Sequence, residues 1–123
     1  MKRKGSSEEA REILRNGVLD MSVMRLTQIA ELGLCGTITT MIGCAETTHY
    51  YNCMEYIKAE NKNEYNWIHF MFAANDKVVA STKILIDEIE DISGSIDEEN
   101  PESVLDVTIF LIDLTEIQVK IFY

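Results

Sequence analysis

The chain has 123 residues, 46% apolar and 26% charged, with 21 acids against 11 bases and a formal net charge of −10. A chain of this length builds one core and buries about two-thirds of its extended surface on folding. Six glycines, one proline and no repeating period exclude collagen-like and low-complexity classes, and the apolar content excludes a wholly disordered chain.

In chain order, residues 1–5 read as a basic tail ahead of a single α+β domain over residues 6–123. Met1-Lys2-Arg3-Lys4 opens basic, but Ser6, Ser7, Glu8 and Glu9 stand where a secretory signal needs an apolar run. Ser6 and Glu9 form a capping box, and Ala10, Ile13 and Leu14 follow at helical spacing until Asn16-Gly17. A second helix is expected from about Ser22 to Leu32, with Val23, Leu26, Ile29 and Ala30 on one face and Gly33 at its end.

Thr37 to Gly43 favours a strand. Tyr50, Cys53, Met54 and Ile57 repeat at helical spacing, and residues 46–60 are therefore expected to be a helix, although alternation as a strand also fits. Tyr65 to Ala74 has high β-propensity, Asn75-Asp76 supplies a turn, and an extended segment restarts at Lys77. Residues 78–92 fit either a strand or a helix, with Gly94 ending the element. After a loop at Asp97 to Glu102, Val104 to Asp113 and Ile117 to Tyr123 read as a closing hairpin. In its last strand Ile117, Val119, Ile121 and Tyr123 alternate with polar residues, as in an edge or barrel strand. The fold class is α+β: short N-terminal helices packed on a four- to six-stranded antiparallel sheet formed mainly by the C-terminal half.

The apolar runs of the second half, such as Ile109 to Ile112, are far short of the ~20 residues that span a bilayer, so no membrane association is expected. Three cysteines, an odd number, fit a reducing compartment, and a cytoplasmic location is expected.

Several residue sets could carry chemistry. Cys35, Cys44 and Cys53 with His49 lack the close ligand pairs of a zinc site and read as inert thiols. A Cys–His nucleophile built from Cys44 or Cys53 with His49 or His69 has no third orienting residue. From Asp91 to Glu102 oxygen-bearing side chains alternate as in a calcium loop, but Ile96 stands where the sharp turn requires Gly. Leu26 to Ile38 has the outline of a helix-turn-helix, yet its recognition segment, Thr37 to Ile57, has no Lys or Arg for phosphate contacts. No metal, cofactor or catalytic set is expected, and the chain reads as a non-enzyme.

Charge is the strongest signal. Residues 1–25 carry a net +2 and residues 26–123 a net −12, and from Asp87 to Glu116 there are eleven acids and no Lys or Arg. Such a field repels nucleic acid and anionic lipid and attracts basic partners. The expected function is a small inhibitor or sequestering protein that binds a basic, nucleic-acid-handling protein by mimicking phosphates. Its contacting set would be Asp87, Glu88, Glu90, Asp91, Asp97, Glu98, Glu99 and Glu102. A second reading is a small-molecule or nucleotide-binding domain whose pocket is walled by Tyr50, Tyr51, Tyr56 and Trp67, because seven of the ten aromatics lie between Tyr50 and Phe72. The apolar ending Ile121-Phe122-Tyr123 reads as an exposed edge that pairs between chains, which would make a homo-oligomer.

Overall fold

The computed structural model describes residues 12, 21–75, 77–96, 99 and 104–123. The basic tail, the first helix and its capping box at Ser6 lie outside these residues, apart from Glu12. The described chain is mainly antiparallel sheet with one helix, α1, over Val23–Ala30. Ser22 is extended and its hydroxyl accepts from the Arg25 amide at 3.1 Å, which makes it the N-cap of the helix. Gly33, at φ 67°, takes the left-handed conformation that ends the helix. Leu26, Ile29 and Ala30 are fully buried, and α1 packs on strand β3 (Cys53–Ile57). Ser22→Ala should cost about 1 kcal/mol, read as a shift of the urea midpoint with unchanged slope.

Two sheets follow. One has five strands in the order β2 (Ala45–Tyr51), β1 (Gly36–Ile42), β8 (Glu116–Phe122), β7 (Val104–Leu111), β6 (Ile89–Ile96). The other has three, β3, β4 (Trp67–Ala74) and β5 (Lys77–Leu85). The strands begin at Gly36, so both halves of the chain supply sheet, and the expectation of a mainly C-terminal sheet is corrected.

Two bends carry the chain from sheet to sheet. At Asn52, between β2 and β3, the backbone amide donates to the Met71 carbonyl at 2.8 Å. The Asn52 side-chain oxygen accepts from the Ala73 amide at 2.6 Å, beside a bulge at Phe72/Ala73 in β4. At a 3₁₀ turn, Ile86–Glu88, the Ile86 amide donates to Asn66 in one direction and Glu88 accepts from the Ile112 amide in the other. Because β8 pairs with β1, strand pairing and these bends form one closed circuit of antiparallel strands.

The helix expected over residues 46–60 is instead β2, Asn52 and β3, and the segment 78–92 is two strands joined by the 3₁₀ turn. The run Thr47, Thr48, Tyr50, Tyr51 favours a pleated surface, and once Asn52 bends the strand the apparent helical spacing no longer describes a face. Gly94 does not end an element; it lies within β6 opposite Val107. The closing hairpin is as predicted, with Ile117, Val119 and Ile121 buried. Its last strand lies between β1 and β7, however, so Ile121-Phe122-Tyr123 is no edge and cannot pair between chains. The edges of the larger sheet are β2 and β6.

The core lies inside the circuit. Ile38, Met54, Ile68, Phe70, Leu105 and Ile109 are buried there with the inward residues of β8, and α1 adds its apolar face. Among the described residues no helix is long and apolar enough to cross a membrane.

Candidate functional site

The acidic candidates cluster along one border of the five-stranded sheet. Asp87 and Glu88 lie in the 3₁₀ turn and Glu90 and Asp91 in edge strand β6; all four are exposed. Ile89 pairs with Leu111 and Asp91 with Phe110, so Glu90 is the extra residue of a bulge. The Asp91 carboxylate accepts from the Ile92 amide at 2.9 Å. Among the described residues no ion pair engages Asp87, Glu88, Glu90 or Asp91. Glu99 is exposed as well, whereas Asp97, Glu98 and Glu102 lie outside the described residues. The structure thus brings four of the eight acids onto one continuous border. Charge and a bulge also protect a sheet edge from pairing with other chains.

The aromatic candidates separate. Tyr50 and Tyr51 are consecutive in β2 and point to opposite faces, as strand geometry requires. Tyr51 is fully buried, its ring edge-on to Phe70 at 5.0 Å and its hydroxyl donating to the Lys120 carbonyl at 2.9 Å. Burial pushes its phenol well above the ordinary tyrosine range. Tyr50 is 56% exposed and tilts against Phe122, and its hydroxyl donates to Cys35 Sγ at 3.9 Å, which pushes its phenol up. Tyr56, half-buried, reaches Asn66 Oδ1 at 3.5 Å. Trp67 is half-buried at the start of β4, with Lys83 Nζ 5.7 Å from its ring centroid.

His69 and Glu55 are opposite in β4 and β3, with Nδ1 and Oε1 3.0 Å apart. His69 Nε2 is buried without a hydrogen-bond partner. His49 packs edge-on against Phe72 at 5.7 Å. Cys35 and Cys44 are free thiols and Cys53 Sγ donates to the Met54 carbonyl at 3.4 Å, and the described residues hold no group of His, Cys, Asp or Glu that could bind a metal ion. Asp91 to Ile96, read as the start of a calcium loop, is paired strand, and Thr37 to Ile57 contains strands rather than a recognition helix.

One feature escaped the sequence reading. The β7–β8 connection presents Ile112, 59% exposed, and Leu114, 87% exposed, and Leu114 has a φ of 73°. The signal was two aliphatic residues in Ile112-Asp113-Leu114-Thr115, a connection where polar turn residues are the rule. Comparison with known proteins finds no matching family model and no matching curated sequence.

Proposed function

We propose that this protein is a non-enzymatic, cytoplasmic acidic binding protein that inhibits or sequesters a basic, nucleic-acid-handling protein. The observation that carries this reading is the border of uncompensated carboxylates at Asp87, Glu88, Glu90 and Asp91. Four exposed negative charges within five residues, on a turn and an edge strand, resemble a short run of phosphates in sign and linear density. A field of that sign steers a cationic surface toward the border and orients it before contact. Edge protection accounts for charge on β6, but the acids extend past the edge strand to the 3₁₀ turn, to Asp113 on the β7–β8 connection and to Glu116 at the start of β8.

The aromatic-pocket reading receives less support, because Tyr51 belongs to the core and Tyr50 to the opposite face of the same strand.

The test is capture from nuclease-treated lysate of the source organism on immobilised protein, washed at low and high salt, beside the variant Asp87→Asn/Glu88→Gln/Glu90→Gln/Asp91→Asn. A basic protein held at low salt, released at high salt, and bound at least about tenfold more weakly by the variant is the expected result. These exposed positions should alter folding stability by only about 0.5 kcal/mol each, so the variant remains a folded control. Binding indifferent both to salt and to the four neutral substitutions would remove the reading.

A further inference from the structure

The β7–β8 connection is held by its own hydrogen bonds. The Leu111 amide donates to the Thr115 carbonyl at 2.9 Å, the Leu114 amide to the Leu111 carbonyl at 3.0 Å, and the Thr115 amide to Asp113 Oδ1 at 3.0 Å. The bonds from Thr115 hold the Asp113 carboxyl below the usual carboxylate range. Leu114 occupies the left-handed region, where a Cβ crowds the following carbonyl and Gly or Asn is the ordinary occupant. At 87% exposure it gains almost no burial in return. Neither backbone conformation nor packing of the free protein explains a leucine there.

Leu114 has aliphatic company. Ile112 is exposed two residues earlier, and Ile42, 64% exposed, ends β1 one position beyond the pair Met41–Glu116. Ile42 is therefore level with Thr115 at the same end of the sheet. Acids surround this tip: Asp113 within the turn, Glu116 on β8, Glu46 opposite Met41, and Glu88, whose carbonyl accepts from the Ile112 amide. None of the segments 40–47, 84–91 and 109–118 contains Lys or Arg.

We infer that Ile112 and Leu114, with Ile42 beside them, are the apolar anchor that enters a hydrophobic cleft of a partner protein whose rim is basic. The charge selects the occupant. A second copy of this chain meeting the tip would oppose like charges without compensation, whereas a cleft rimmed by Lys or Arg pairs with them. An aliphatic centre inside a charged rim is the arrangement that concentrates affinity in the centre and orientation in the rim. The prefolded turn spares the ordering cost that a floppy loop would incur on binding.

This inference rests on the acidic-binder reading, and its test separates the two. The basic protein retained in the low-salt wash is purified and titrated calorimetrically with wild type, Leu114→Gly, Leu114→Asn, and the fourfold neutral variant. Leu114→Gly and Leu114→Asn should melt at or above the wild-type temperature yet bind at least tenfold more weakly, with the salt dependence of binding unchanged. Wild-type affinity in both Leu114 variants overturns the anchor while leaving the acidic border in place. Weakened binding in the Leu114 variants combined with no salt dependence keeps the anchor's contact and removes the charge argument that chose its partner, so the inference falls as stated. A melting temperature lowered in both variants shows that the fold itself needs Leu114, and also overturns it.

Discussion

Gly36→Ala is expected to destabilise the protein by about 3 kcal/mol, measured as a fall in the urea midpoint at constant slope. Gly36 lies in β1 opposite Tyr51 on one side and Ile121 on the other. A Cβ built there collides with the Lys120 carbonyl oxygen and comes within 2.6 Å of the Tyr51 hydroxyl. Lys120 belongs to the central strand of the sheet, so its carbonyl retreats only if the β1–β8 ladder moves with it. The Tyr51 ring crosses over Gly36 to donate to that same carbonyl, and Phe70 blocks its retreat on the core side. The two obstacles can be separated. In a Tyr51→Phe background the hydroxyl is gone but the backbone contact persists, so Gly36→Ala should still incur most of its cost. A negligible cost in that background would show that the close approach of the strands is not what demands glycine.

Phe70→Ala is expected to cost about 3–5 kcal/mol, the range for removing a large buried aromatic ring. Phe70 lies in β4, the middle strand of the smaller sheet, and is fully buried. Its edge-on contact with Tyr51, at 72° between ring planes, joins that sheet to the larger one. Such a pair contributes about 0.5–1.5 kcal/mol beyond area burial. A double-mutant cycle between Phe70→Ala and Tyr51→Phe measures only the part transmitted through the hydroxyl; Tyr51→Ala in the same cycle measures the ring contact. No coupling in the second cycle would mean that the sheets are held together elsewhere, at the Asn52 bend and the Ile86–Glu88 turn.

These residues show what local reading could and could not reach. The helix at Val23–Ala30 was legible because its determinants lie within a dozen positions: the apolar spacing and Gly33. The final hairpin was legible for the same reason, through alternation at Ile117, Val119 and Ile121. The acids from Asp87 to Asp91 were visible as composition, but their alignment on an edge depends on the bulge at Glu90 and on the 3₁₀ turn. The aromatic cluster was read as one wall, and the strand period divides it between core and surface.

By itself, then, the sequence determined the elements whose causes are local and the sign of the surface charge. Tertiary structure decided which runs bend into both sheets, that β8 lies at the centre rather than the edge, and that Leu114 stands exposed in a left-handed turn. The physical reason is the range of the interactions. Caps, turns and periodicity act between residues a few positions apart, whereas the order of strands follows from backbone ladders between distant segments, such as β1 with β8, where Gly36 pairs with Ile121. Short apolar runs satisfy helical and extended periods alike, and only pairing with a distant strand chooses between them.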